Sequence, residues 1–304
     1  MRWFAYFLAI VNATIIGLSF LFVKITVAET SPIDTLSFRF IVALIFCAIY
    51  MKVRNIPFRI EIRRLFPLLL ITLFYPLGFF TFQAYGLLYI DSAEAGILTA
   101  TAPIITAVCA ACFIGEKTNL LQFLSILISV TGVMLISVVK GIHFDTSSIV
   151  GIVLILFSCF MSAGYTIINR VLIRSFTAME ITLVIMIVGS LFFTGLSFVT
   201  HIVNGTIATI FKPFGNHHFT IAILYLGIFS SMLTTIFSSL ILKHLRATEL
   251  VVFLNFSTVI AIIAGYVFMH ESIYFYHLIA AALIIIGVLG TNFFAKQEIL
   301  LSKK

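Results

Sequence analysis

The chain has 304 residues, of which 62% are hydrophobic and only 10% charged, with a mean hydropathy of +1.22. A soluble domain needs far more polar surface than this, so the composition excludes one and calls for a chain immersed in lipid. The formal charge of +7 comes from basic residues scattered over separate short loops, which argues against a nucleic-acid footprint and for membrane topology and anionic headgroups.

Ten apolar stretches of roughly 20 residues, the length that crosses a hydrocarbon core, follow one another along the chain. They are 6–27, 33–51, 66–89, 95–114, 119–138, 149–169, 179–201, 219–242, 249–269 and 276–295. Met1-Arg2-Trp3 leads straight into an apolar stretch longer than a signal-peptide core, without a small-residue cleavage site, so 6–27 is expected to be a retained first span. Arg39 interrupts the second span, and the boundary between the eighth and ninth rests on Lys243-His244-Leu245-Arg246.

The two halves of the chain echo each other. Glu94 and Glu116 return as Glu249 and Glu271, and Gly132-Val133 returns as Gly287-Val288, each displaced by 155 residues. Apolar coincidences are common in so hydrophobic a chain, so the rare charged and glycine matches carry the inference of an internal duplication. With five spans per copy, an odd number, the second copy enters the bilayer from the opposite side. The expected fold is therefore all-α and integral to the membrane, ten transmembrane helices as two inverted five-helix repeats, 1–146 and 147–304. Such a plan is recurrent in secondary transporters, whose halves rock about a site near the midplane.

Placing the N-terminus in the cytoplasm puts fourteen of the eighteen basic residues inside, leaving Lys24, Arg39, Lys140 and Lys212 outside, so both termini are expected in the cytoplasm. Under that topology Glu116 ends the fourth span on the inner face and Glu271 ends the ninth on the outer face.

Ala84–Ser137, with Tyr85-Gly86-Leu87-Leu88-Tyr89-Ile90-Asp91-Ser92-Ala93, Pro103, Ile114-Gly115-Glu116 and Thr131-Gly132-Val133, resembles the EamA domain of the drug/metabolite transporter superfamily. So do Ile16-Gly17-Leu18-Ser19-Phe20 with Lys24, and Ser37-Phe38-Arg39-Phe40; a second copy covers Gly151–Asn292. The resemblance implies a ten-helix carrier with both ends cytoplasmic, of a family in which many members export amino acids or other small metabolites. Thr258 stands where the first copy has Pro103, and Met269-His270-Glu271 lacks the glycine the family favours before the glutamate, so no particular substrate transfers with the resemblance.

Polar groups inside spans are costly unless paired or wetted, which makes them the candidates for substrate contact. Substrate binding is expected among Asn12, Tyr75, Phe79, Gln83, Thr101, Tyr165, Ser231 and Asn255. A single hydroxyl more often bonds its own helix, and the aromatic rings more often pack. The amides of Asn12, Gln83 and Asn255 each need several partners and are harder to hide in hydrocarbon. Structural or gating roles are expected for Lys24, Arg39, Pro103, Glu116 and Glu271. Lys24 and Arg39 lie toward the outer ends of their spans, within reach of the interface or of Glu29, Asp34 or Glu94. Glu116 and Glu271 are placed to cap the next helix, and Pro103, mid-span, to kink its own. The fifth and tenth spans, almost wholly aliphatic, suit peripheral or dimer-facing packing, leaving a homodimer open.

No Asp, Glu or His falls near the centre of a span, where a proton relay would sit. That favours facilitated transport, or coupling through residues nearer the ends, and a neutral or zwitterionic small molecule as substrate. No His-Glu-x-x-His, paired acids or nucleophile with its base argues for an enzyme, no metal site or cofactor is expected, and His244 with Glu249 fits a solvated interfacial pair. Cys109-x-x-Cys112, with Cys47 and Cys159, lies within spans and suits packing better than redox or metal chemistry. No loop offers a channel filter. The expected protein is a multi-pass carrier of the inner or plasma membrane, an exporter working by alternating access with the lipid bilayer and a small molecule as its partners. A proton-coupled importer is the alternative, ahead of a membrane enzyme or channel.

Overall fold

A computed structural model of the chain describes residues 2–56, 62–86, 89, 98–99, 101–116, 118–139, 148–269 and 274–301. Along them run α1 (Arg2–Val27), α2 (Pro32–Val53), α3 (Ile62–Thr72), α4 (Phe79–Gly86), α5 (Ala102–Ile114) and α6 (Leu120–Val139). There follow α7 (Ser148–Leu172), α8 (Ala178–Val203), α9 (His217–Gly227), α10 (Thr234–Leu242), α11 (Ala247–Met269) and α12 (Phe275–Leu301). Among the described residues, eight helical segments are long and apolar enough to cross a membrane, namely α1, α2, Leu65–Gly86, Ile149–Leu172, α8, His217–Leu242, Ala247–Phe268 and Phe275–Ala295. Two shorter apolar helices, Ala102–Ile114 and Leu120–Leu135, fall within the fourth and fifth sequence intervals.

Side-chain acceptors mark the helix starts. Ser31 precedes Pro32 and accepts from Asp34 N at 3.1 Å, opening α2. Thr177 and Glu180 satisfy each other's amides in a capping box at α8. Asn119 accepts from Gln122 N at 2.7 Å to start α6, and Asn216 accepts from His218 N at 2.9 Å to start α9. Gly115, with φ at 67°, takes the left-handed conformation that terminates α5.

Among the described residues, two of the long apolar segments carry a π-helical turn at mid-length. A π-helical turn over Leu73–Gly78 joins α3 to α4, and another over Ile228–Leu233 joins α9 to α10. In the first, Tyr75 takes φ −144° and ψ 121° because Pro76 follows it and crowds the helical region. The second contains no proline; hydroxyls take up its carbonyls instead. Ser231 donates to Leu226 O at 2.8 Å, five residues back, and Thr234 and Thr235 donate to Ser230 O and Ser231 O at 2.7 and 2.6 Å. The two turns are displaced by the same 155 residues as the repeated glutamates.

Pro103, expected to kink its span, lies just after the turn at Thr101. It stands in the first turn of α5, where its missing N–H has no helical acceptor to lose. Between helices in lipid there is no water to expel, so close backbone approach governs packing, and glycine permits it. On α6, a Cβ at Gly132 would lie 2.8 Å from Ala280 O and 3.0 Å from Ile284; on α12, a Cβ at Gly287 would lie 2.5 Å from Ser129 and 2.6 Å from Ser125 O. The helices α6 and α12 thus face each other, and Gln122, Ser125 and Ser129 are buried on a helix whose sequence reads as almost wholly aliphatic. Elsewhere α1 packs on α11, α5 on α7, and α2 on α8.

Candidate functional site

The two kinked spans meet at Arg39. This residue sits on α2 roughly 10 Å below the helix start at 1.5 Å per residue, and its side chain turns into the bundle, 7% exposed. Its placement corrects the expectation that the side chain reaches for the interface. The π-turn over Ile228–Leu233 offers the reason, because its hydroxyls and carbonyl form a polar socket between the helices. Arg39 Nε donates to Ser231 Oγ at 2.8 Å, while Nη2 donates to Ser230 Oγ at 3.3 Å and Ser230 O at 3.4 Å. The guanidinium carbon also lies 5.2 Å from the Phe80 ring centre and 5.8 Å from that of Phe40, a contact worth about 2 kcal/mol when desolvated. No carboxylate of the described residues pairs with it.

From this socket a polar and aromatic seam runs along the π-turns. Tyr75 stands beside Thr235 and the guanidinium. Its ring lies 4.7 Å from Tyr165, 5.4 Å from Phe80 and 5.8 Å from Phe79, centre to centre. Asn169 Nδ2 donates to Tyr165 Oη at 3.1 Å, and Asn169 Oδ1 accepts from Ser239 Oγ at 3.1 Å. Across α10, Ser238 Oγ accepts from Asn12 Nδ2 at 3.3 Å, while Asn12 Oδ1, fully buried, has no partner among the described residues. Gly164 makes room on α7 for Phe74, which comes within 2.3 Å of where a Cβ would be and so seats the first π-turn against this helix.

Each end of the bundle carries an ionic cluster. At the end holding the N-terminus, Arg170 Nε donates to Glu116 Oε1 at 3.0 Å and its Nη1 donates to Leu242 O. Glu116 Oε2 accepts from Ala247 N at 3.0 Å, so this glutamate caps α11 and not the next helix in the chain, whose cap is Asn119. Beside it Glu249, with no exposed surface, accepts from Arg2 Nη2 at 3.0 Å and Arg246 N at 2.7 Å. That corrects the solvated His244–Glu249 pair. At the opposite end Asp34 accepts from Ser197 at 2.5 Å, Ser31 at 2.8 Å and Thr30 at 3.0 Å, with His201 Nε2 at 3.2 Å.

Of the residues expected to touch substrate, the fold brings together Tyr75, Phe79, Tyr165 and Ser231. Asn12 is joined to this group through α10. Gln83 lies one helical turn past Phe79, half-buried, on the same face of α4. Thr101 and Asn255 stand apart: Thr101 bonds Leu98 O at 2.6 Å before α5, and Asn255 donates to Ser129 Oγ at 3.0 Å in the packing against α6. Lys24 sits exposed in the last turn of α1, and Glu271 lies outside the described residues. The Asp34–His201 pair was not anticipated, because nothing in the spacing of residues 167 apart reveals it. Arg39 is visible in the sequence as the basic residue that interrupts the apolar run 33–51.

The profile of the EamA-like transporter family matches residues 3–138 and again residues 149–293. The chain is 38% identical over 288 residues to an uncharacterized transporter, YcxC, of Bacillus subtilis (strain 168), covering 95% of this chain and 92% of that one. To an uncharacterized transporter of Archaeoglobus fulgidus it is 25% identical over 278 residues, covering 91% and 94%. A solved crystal structure shares the fold, with a TM-score of 0.81 at 17% identity over 98% of this chain and 99% of that one. Both relatives bear the name of transporter and neither that of an enzyme. With nearly its whole length matched, this multi-pass membrane protein belongs to the EamA-like transporter family.

Proposed function

We propose that the protein is an alternating-access carrier of the cell membrane that exports small zwitterionic or neutral metabolites such as amino acids. One observation carries this reading. The buried seam of hydroxyl, amide and aromatic groups around Arg39 joins two mid-span breaks and lies between ionic clusters at opposite ends of the bundle. A carrier needs a polar site that neither face reaches at once, and breaks that let helices bend around it. Where the helical ladder is interrupted, backbone groups become available to a solute that a continuous helix would deny it.

In this reading the chain has ten spans in two inverted five-helix halves, 1–146 and 147–304, with both termini cytoplasmic. The matched displacement of the π-turns, the reciprocal contacts of Gly132 and Gly287, and the twofold match of the family profile support the repeat. The basic residues of the connecting segments support the orientation. The Glu116–Arg170 and Asp34–His201 clusters then act as inner and outer closures, one opening as the other holds.

Purified protein in liposomes, screened against labelled amino acids and other small metabolites with and without a pH gradient, tests the proposal. Saturable, stereoselective flux of at least one zwitterionic or neutral solute is the expected result. Absence of flux across the panel, or flux linear with concentration, would count against it.

A further inference from the structure

We infer that the guanidinium of Arg39 is the docking point for a carboxylate on the transported solute, with the Tyr75, Phe80 and Tyr165 rings facing its apolar part. The inference rests on the carrier reading and names the substrate group its site takes. Three observations carry it. First, Arg39 is buried in a membrane-spanning helix, where a positive charge is costly and is kept when it is used. Second, every acceptor that reaches it is neutral: two serine hydroxyls and one carbonyl. Asp34, the acid nearest along α2, is taken up by Thr30, Ser31, Ser197 and His201. Third, Nε and Nη2 are engaged, while Nη1 has no hydrogen-bond partner among the described residues. The serines orient the guanidinium and leave its charge unneutralised.

A planar anion fits this vacancy in charge. A carboxylate can accept from Nη1, whose N–H donors are held in the plane that the serines fix, a directed array that a freely rotating ammonium cannot reproduce. The seam beyond it supplies Tyr75, Tyr165 and Phe80 at ring-contact distances from one another, and a small polar rung at Asn169 and Ser239. The solute class is therefore a small carboxylate with an apolar substituent, and a zwitterion belongs to it through its carboxylate end.

The test uses L-leucine, 4-methylpentanoate, 3-methylbutylamine and isopentyl phosphate as probes of binding to the purified full-length protein, read as ligand-dependent thermal stabilisation. L-leucine and 4-methylpentanoate are expected to stabilise the wild type, and 3-methylbutylamine is not. Arg39→Gln is expected to lose both carboxylates by at least tenfold in affinity. Arg39→Lys, which keeps the charge but not the fixed planar N–H donors, should fall between. If Arg39→Gln yields no folded protein, the comparison of Arg39→Lys with wild type decides alone.

Failure of every carboxylate to bind the wild type, equal binding of the amine, carboxylate affinity unchanged in the variants, or preference for isopentyl phosphate over 4-methylpentanoate would overturn the assignment. Flux separates it from the carrier reading. Carboxylate binding that depends on Arg39 without any flux upholds the docking point and removes the carrier; L-leucine flux undiminished in both variants does the reverse.

Discussion

Gly132 of α6 and Gly287 of α12 occupy equivalent places in one helix contact: the first rests against Ala280 and Ile284, the second against Ser125 and Ser129, and all of these correspondences share the displacement of 155 residues. Neither position has space for a methyl group. Gly287→Ala should lower stability by about 1–3 kcal/mol, the usual cost of overpacking, and Gly132→Ala should act in the same direction. Gly195, where a Cβ would meet nothing within 4 Å, is the internal control; Gly195→Ala should be neutral or stabilising by up to roughly 1 kcal/mol. Thermal midpoints of the three purified variants decide the matter.

The Glu116 carboxylate holds Arg170 with one oxygen and the start of α11 with the other, both at 3.0 Å. Either partner alone leaves a charged group short of its bonds. Glu116→Gln and Arg170→Ala should each destabilise, and the double variant should be less impaired than the sum, with a coupling of about 0.5–3 kcal/mol. Additive losses in a double-mutant cycle would mean that the pair is not an energetic unit.

Asn255 and Asn169 offer opposite expectations. Asn255 joins α11 to Ser129 in the helix-packing seam, so Asn255→Ala should cost about 1 kcal/mol of stability and leave flux per folded molecule near normal. Asn169 links Tyr165 to Ser239 inside the candidate site, so Asn169→Ala should lower flux more than its loss of stability accounts for. Transport normalised to folded protein checks both at once.

Gln122 is wholly buried on α6, and neither atom of its amide has a partner among the described residues. An unsatisfied buried amide costs about 1–3 kcal/mol. Gln122→Leu, close in volume, should therefore keep or raise the thermal midpoint; a marked fall would show that the amide is bonded.

Much of the architecture was legible because lipid imposes simple rules. Apolar runs of membrane-spanning length located the helical segments, and charged or glycine matches such as Glu94 with Glu249 drew attention to the displacement of 155 residues that later recurs in the π-turns. The site was legible in part. Tyr75, Phe79, Tyr165 and Ser231 stand out as polar or aromatic groups within spans, and they do converge. What the chain order hides is direction. A helix position does not tell whether Arg39 reaches for headgroups or for a socket, because that depends on where a second span breaks. Likewise Glu116 reads as the cap of its own successor until α11 is seen beside it.

Counterflow through reconstituted protein tests the central claim most directly. Liposomes preloaded with an unlabelled solute found by the metabolite screen should accumulate the labelled solute transiently above its outside concentration, because a carrier returns loaded faster than empty. Uptake that rises linearly with concentration and ignores the preload would contradict alternating access and describe a pore.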